Sequence, residues 1–372
     1  MQVYLDNAAT TKPAQEIIRK ILSLLNENWA NPSSSHKKGE QARQSLEQAR
    51  KVIANAIHAS PEEIYFTSGG TEANNLAFHS ILSGTKKKHI ITSCIEHASI
   101  LNLCNYLEKQ GYEITYLPVD KQGFISIQAL KSALKKSTAL VSIMHANNEI
   151  GTVQDIKTIS RLCQQAKVPF HTDAVQSFKK ISISTKGITA ISLSAHKVHA
   201  LKGTGALYLK KGTPLYPLFF GGAQENTLRP GTENTLGISC FAEAVKIKYP
   251  FEKVQKLRDY MIKELLKIPG AKLNGSKEKR LCNNMNMHFE GSNAELLMKH
   301  LSEKNIFVST GSACDSQKQQ ASHVLKAIGL SDKQAQASLR ITLSPYTTKR
   351  EIDYTVRNIK YLVSITEKLQ LF

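Results

Sequence analysis

From about residue 16 to residue 250 the chain alternates between short apolar runs and longer segments with apolar residues at helical spacing. Strand-like runs fall at Ile64–Thr67, His89–Thr92, Glu113–Leu117, Leu140–His145, Pro169–Thr172, Ala190–Ser194 and Gly205–Leu209. Helical patterns fall at Ser35–Ala56, from Glu72 onward, and at Ile100–Gln110, Ser126–Lys135 and Ile156–Gln165. Strands separated by helices do not pair as hairpins. They run parallel, with helices over the sheet. After residue 250 the pattern changes. A helix at Val254–Leu266 leads to an alternating strand at Asn283–Phe289 and a helix at Ala294–Lys304. A short strand at Phe307–Ser309, a polar Ser/Gly/Gln segment, a strand at Arg340–Leu343 and a closing helix at Lys349–Leu371 follow. The expectation is an α/β protein of two parts. Residues 12–253 form a large domain, and residues 1–11 with 254–372 form a smaller α+β domain.

At 372 residues, with 41% hydrophobic and 21% charged, the chain has the make-up of a globular protein rather than a disordered one. The formal charge is +19, from 49 Lys+Arg against 30 Asp+Glu. Its clusters, such as Lys86-Lys87-Lys88 and Lys210-Lys211, are short and not interleaved with aromatics. We read them as a solvated lysine-rich surface rather than a nucleic-acid footprint, with attraction to an acidic protein or to RNA left open. MQVYLDNAATT has no signal-peptide pattern, and no apolar run reaches membrane-spanning length. The six cysteines are scattered, without a Cys-x-x-Cys pair. That speaks against a zinc site or disulfide framework and suits a reducing cytoplasm, where we expect the protein.

Three strand ends carry chemistry. Thr67-Ser68-Gly69-Gly70-Thr71-Glu72 ends a strand and opens a helix, where free backbone amides attract a phosphate. Alone it is an ordinary strand-to-helix turn. Asp173, in His171-Thr172-Asp173-Ala174-Val175-Gln176, stands at the next such edge, where ligands bind in open α/β sheets. Alone it reads as a helix cap. Lys197, in Ser194-Ala195-His196-Lys197, directly follows an apolar strand. Most lysines on loops are surface residues, but a Schiff-base lysine needs this partly desolvated kind of place. Pyridoxal 5′-phosphate requires a phosphate cradle, a carboxylate for its ring nitrogen and a Schiff-base lysine. The three segments supply them in order. His97 follows another strand and suits a ring-stacking position, although a lone histidine there is more often a cap.

With Tyr4-Leu5-Asp6-Asn7-Ala8-Ala9-Thr10-Thr11, Asn31-Pro32-Ser33-Ser34-Ser35-His36, His145-Ala146-Asn147-Asn148-Glu149-Ile150-Gly151, Arg229-Pro230-Gly231-Thr232 and Ser312-Ala313-Cys314, these segments resemble the cysteine desulfurases of the class V aminotransferase group. The resemblance runs nearly end to end. It implies the fold type I of pyridoxal-phosphate transferases, with a mainly parallel seven-stranded sheet in the large part. It implies that Lys197 carries the cofactor, that Asp173 pairs with the ring nitrogen and that Gln176 contacts the phenolic oxygen. His97 stacks on the ring and handles protons. Gly70, Thr71, Ser194 and His196 hold the phosphate, joined by Thr232 from the other subunit of a homodimer. Asn148, beside the cofactor, and Arg340 bind the substrate carboxylate. Cys314 takes the sulfur of L-cysteine as a persulfide, leaving L-alanine, and passes it to an acceptor protein. That acceptor is an iron–sulfur scaffold, a sulfur carrier or a tRNA-thiolating enzyme.

The residues around Cys314 agree with that role. Thr310-Gly311-Ser312-Ala313-Cys314-Asp315-Ser316-Gln317 is small and polar, a poor address for a packing cysteine. Cys94, Cys104, Cys163, Cys240 and Cys282 lie in helical or apolar settings. An aminotransferase of the same fold needs no such loop cysteine, whereas selenocysteine lyase action differs by one substrate atom. Two departures stand out. Ala195 replaces a glycine common in relatives. The chain also ends at Phe372, short of a tail that helps some relatives dock a scaffold, which leaves the acceptor open.

Overall fold

The computed structural model describes residues 1–311 and 321–369. The chain opens with β1 (Val3–Tyr4), α1 (Gln15–Glu27), α2 (Lys37–Ala56), β2 (Ile64–Thr67) and α3 (Gly70–Ser83). It continues through β3 (His89–Ser93), α4 (Ala98–Lys109), β4 (Glu113–Leu117), α5 (Ile127–Ala133), β5 (Thr138–Ser142), α6 (Ile156–Gln165), β6 (Phe170–Asp173), β7 (Ala190–Ser194), β8 (Gly205–Leu209) and α7 (Thr235–Lys246). A seven-stranded sheet has the order β2-β8-β7-β6-β5-β3-β4. Only β8 runs against its neighbours. Hence the C-terminal ends of β2, β3, β5, β6 and β7 share one edge.

Neighbouring residues within each strand serve opposite faces. Phe66, Ile91, Val141, Ile191 and Ala206 join the core beneath α1, α2, α6 and α7. Tyr65, Ile90, Leu140, Ala190 and Leu207 join the core beneath α3 and α4. A sheet covered on both faces needs both partners of each pair to be apolar, which is why these strands read as continuous runs. The Leu140–His145 run is displaced, because the strand proper is Thr138–Ser142 and residues 143–148 form the loop beyond its end.

The remainder comprises α8 (Phe251–Leu265), β9 (Ala271–Asn274), β10 (Asn284–Phe289), α9 (Ala294–Glu303), β11 (Ile306–Phe307), α10 (His323–Ala327), α11 (Asp332–Gln336), β12 (Ser338–Thr342) and α12 (Lys349–Leu369). Strands β12-β10-β9 form an antiparallel sheet, and β1 pairs in parallel with β11, Val3 opposite Ile306. Val3 and Leu5 are buried in the same core as Met287, Leu301, Ile341 and Ile359. The N-terminal strand thus returns to the C-terminal part. A further cluster packs Val324, Leu325 and Ile328 against Ile95, Met144 and Ile150. It seats α10 on the loops beyond β3 and β5. Among the described residues, no helix is long and apolar enough to cross a membrane.

Candidate active site

A cavity of about 300 Å³ opens at the shared strand edge, at the lower end of the size range of ligand sites. Gly70, Thr71, His97, Asn148, Asp173, Gln176, Ser194, His196, Lys197 and Arg340 all line it. Thr232 does not. It lines a separate recess with Ser68, Glu225 and Arg229. Cys314 lies outside the described residues.

Each wall has a local cause. At the end of β2 the chain turns through Gly69 and starts α3 at Gly70. A Cβ on Gly70 would meet Val175 Cγ2 at 2.6 Å, so the helix start and the turn after Asp173 close on each other only because Gly70 has no side chain. Opposite, Gly205 of β8 leaves room for Gly69, whose Cα would lie 2.7 Å from a Cβ there. The first turn of α3, at Gly70 and Thr71, therefore lines the cavity beside Ser194 and His196, where a helix start offers its free amides. Ser194 Oγ is buried and has no hydrogen-bond partner among the described residues.

Asp173 is held on both oxygens. Oδ1 accepts from the Val175 amide at 2.9 Å, and Oδ2 accepts from Asn74 Nδ2 at 2.8 Å. Asn74 also donates to Ser99 Oγ at 2.9 Å. Ser99 Oγ lies 2.9 Å from His97 Nδ1, which also accepts from the Ser99 amide at 3.1 Å. An Nδ1 that accepts from an amide carries no proton, so the neutral ring bears its proton on Nε2. His97 is thus both the cap of α4 and a cavity wall, and one network orients it together with Asp173. Asn74 and Ser99 escape sequence reading because their roles depend on two helices meeting.

The Lys197 amine rests on the carbonyls of Ala8 and Ala9, at 2.6 and 2.7 Å. Gln176 donates to the same Ala8 carbonyl at 2.9 Å. Arg340, 2% exposed, pairs with Asp6 Oδ1 at 2.8 Å and reaches the Asn148 carbonyl at 3.4 Å, while its buried Nε has no partner among the described residues. The N-terminal segment therefore contributes to the site as well as to the C-terminal core.

Three more acid–base groups border the cavity that sequence reading missed. Glu96 is fully buried. Ser93 Oγ and the Met144 amide donate to its Oε1 at 2.5 and 2.9 Å, and burial pushes its carboxyl up to about 8. Glu149 accepts from Ser322 Oγ at 2.5 Å, and its Oε1 is buried without a partner among the described residues. His323 sits 3.1 Å through Nε2 from the Glu96 carbonyl. The adjacency of Glu96 to His97 was a usable signal, but nothing local marks His323. Among the described residues, no group of three potential metal ligands occurs.

The aminotransferase class-V family model matches residues 3–355. The cysteine desulfurase IscS of Dictyoglomus turgidum is 46% identical, over 99% of this chain and 95% of its own length. The chain belongs to the class-V aminotransferases and, among them, to the cysteine desulfurase family. The IscS of Methanosarcina thermophila is 44% identical over 99% of this chain and 93% of its own. Among solved structures, a NifS-like protein superposes with a TM-score of 0.92 at 34% identity, over 98% of this chain and all of its own. SspA in complex with cysteine gives 0.83 at 37%, over 94% of this chain and all of its own.

This family depends on pyridoxal phosphate, and the cavity fits that group. It offers the α3 amides and a partnerless buried hydroxyl at one end, a doubly held carboxylate, and a lysine amine poised on two carbonyls. These are the donor, counter-charge and nucleophile that a phosphorylated pyridine aldehyde requires.

Proposed function

We propose that the protein is a pyridoxal-phosphate-dependent cysteine desulfurase that converts L-cysteine to L-alanine and holds the sulfur as a persulfide on Cys314. The observation that carries this reading is the convergence of Lys197, Asp173 and the α3 N-terminus, with Ser194 Oγ buried and partnerless, on one cavity.

Gly70, Thr71, Ser194 and His196 would hold the phosphate, Asp173 the ring nitrogen, Gln176 the phenolic oxygen and His97 the ring face. Bound there, pyridoxal phosphate supplies an aldehyde for amine exchange and a ring that draws electrons from the substrate Cα. Arg340, with Asn148, grips the substrate carboxylate through the donors that Asp6 leaves free. The Lys197 amine would take the Cα proton of the bound substrate. The Cys314 thiolate forms a bond to the substrate sulfur as the carbon–sulfur bond breaks. The carbon keeps the electron pair, takes up a proton and leaves as alanine. The persulfide then goes to a protein acceptor: an iron–sulfur scaffold, a sulfur carrier or a tRNA-thiolating enzyme.

We also propose a twofold homodimer in which Thr232 completes the partner's phosphate site. Thr232 lies away from its own chain's cavity. Nearby, Phe219 and Phe220 are exposed, Phe220 by 92%, and an apolar recess is lined by Phe78, Leu103, Tyr106 and Leu218. Exposed apolar surface of that kind is what a subunit interface covers.

Two variants test the activity. Lys197→Ala should lose both turnover and the borohydride-reducible yellow colour. Cys314→Ser should keep the colour and still bind cysteine, yet form no protein persulfide. Mass spectrometry after incubation with cysteine should place the added sulfur on Cys314 alone in the unmodified enzyme. Sulfur on Cys94 or Cys282, or a coloured Lys197→Ala protein, would sink the reading.

A further inference from the structure

Lys180 follows the turn that carries Asp173 and Gln176, and it is 5% exposed. Its amine donates to the Gln176 carbonyl at 2.9 Å and lies 3.4 Å from the Lys197 carbonyl. Both of those residues line the cavity, so one buried amine joins the backbone of two active-site segments. Among the described residues no carboxylate pairs with it. Its electrostatic neighbours are Cys282, His196 and His199. Burial holds the Cys282 thiol above its ordinary range, and the Tyr249 hydroxyl beside Cys282 well above its own, so neither supplies an anion near neutral pH. Burial first, and the charge of Lys180 to a lesser degree, pushes both histidines down to about 4, so they are neutral. Burial pushes the Lys180 amine down to about 8, which leaves it mostly protonated at pH 7. An uncompensated buried cation costs stability, and its position beside a reactive lysine suggests what that cost serves.

We propose that Lys180 is a positioning residue whose buried charge, set between the Gln176 and Lys197 carbonyls, lowers the proton affinity of the Lys197 amine. A neighbouring cation disfavours the ammonium form and frees the lone pair for reaction with an aldehyde or for taking a proton. The other titratable or charged groups that line the cavity with Lys197 are His97, His196, His323, Arg340, Glu96, Glu149 and Asp173. Of these, the carboxyls act in the opposite direction: two hydrogen bonds already hold Asp173, burial keeps Glu96 mostly protonated at pH 7, and Ser322 donates to Glu149. The two carbonyl contacts hold the Lys180 amine against the backbone of the segment that carries Lys197. The inference rests on the reading of Lys197 as the cofactor-bearing lysine.

The test measures the rate at which apoprotein captures pyridoxal phosphate as a function of pH, followed by borohydride reduction and peptide mapping. Lys180→Gln keeps a donor without charge, Lys180→Met removes both, and Lys180→Arg keeps the charge. Cys282→Asp leaves Lys180 in place and gives it a counter-charge. The Gln, Met and Asp variants should raise the midpoint of the capture profile by about one pH unit, a roughly tenfold slower capture at pH 7. The Arg variant should keep the wild-type midpoint. Coincident midpoints in folded variants, or an Arg variant that shifts as far as the Gln variant, would overturn the proposal. A reduced cofactor found on a lysine other than Lys197 would instead overturn the assignment on which it rests.

Discussion

Arg340 shows how a single side chain is prepared for an anion. It projects from β12 and is almost wholly buried, and Asp6 takes one of its terminal nitrogens. A buried guanidinium with one half paired presents its remaining donors in a fixed fork, which a carboxylate matches in a plane. A lysine carries the same charge without the fork. Arg340→Lys should therefore raise the KM for cysteine about tenfold, roughly 1.4 kcal/mol of lost binding, with a smaller effect on kcat. Steady-state kinetics decide it, and an unchanged KM removes Arg340 from carboxylate recognition. The cysteines make the complementary point. Cys104 and Cys163 are buried, with thiols pushed up to about 12, and Cys240 is raised to about 11. Such thiols stay protonated and serve packing rather than nucleophilic chemistry.

At the scale of elements, the segment from Gln224 to Thr232 is irregular, with Glu225, Asn226 and Thr227 all at positive φ. Its anchor is a buried ion pair. Arg50 of α2 donates to both Glu225 oxygens at 2.8 Å, and the Phe66 amide of β2 donates to Glu225 Oε2 at 2.8 Å. Arg50 also donates to the Ile64 carbonyl at 2.6 Å. Further along, Arg229 bonds Glu72 in the first turn of α3 at 2.9 Å. The segment that carries Thr232 is thus tied to the strand and helix, β2 and α3, that build the Gly70–Thr71 end of the cavity. Glu225→Ala would leave buried Arg50 with only the half-exposed Glu47 as a carboxylate partner and would strip the Phe66 amide of its acceptor, at a cost of about 3 kcal/mol. Urea unfolding measures it. A loss under 1 kcal/mol would mean that the pair adds little beyond local packing. If the homodimer is correct, the same variant should also weaken subunit association.

For the whole molecule, the excess of positive charge is the dominant long-range feature. Charge of one sign steers oppositely charged partners and is screened within about 10 Å at 0.1 M salt. We propose that the sulfur acceptor docks near the Cys314 segment largely by this attraction. Acceptor-stimulated sulfur release should then fall steeply as ionic strength rises, while acceptor-free turnover changes little. Equal salt sensitivity of the two rates would remove charge-guided docking. Association in the proposed homodimer is expected to respond differently, because the surface at Phe219 and Phe220 is apolar and gains from salt.

Much of this architecture is legible in the sequence, because a sheet buried on both faces demands uninterrupted apolar strands and glycine-bearing ends. The strands at Ile64–Thr67, Glu113–Leu117, Ala190–Ser194 and Gly205–Leu209 have the bounds their patterns suggest. Gly70, Asp173 and Lys197 could be picked out because each sits at a strand end, and parallel strands bring their C-terminal ends to one edge whatever the loops do. Short-range patterns do not carry what depends on elements far apart in the chain. The strand at Ala271–Asn274 is hidden because only one of its four residues is buried. The pairing of β1 with β11 brings Asp6 to Arg340, across more than 300 residues. Asn74 gains its role only where α3 meets α4, and His323 and Glu149 gain theirs only where α10 docks on the loops beyond β3 and β5. Lys180 reads as one more lysine on a basic surface until its amine is seen between two buried carbonyls. Local pattern determined which residues could reach the strand edge. Long-range packing alone decided which charges are stripped of water there and which partners they keep.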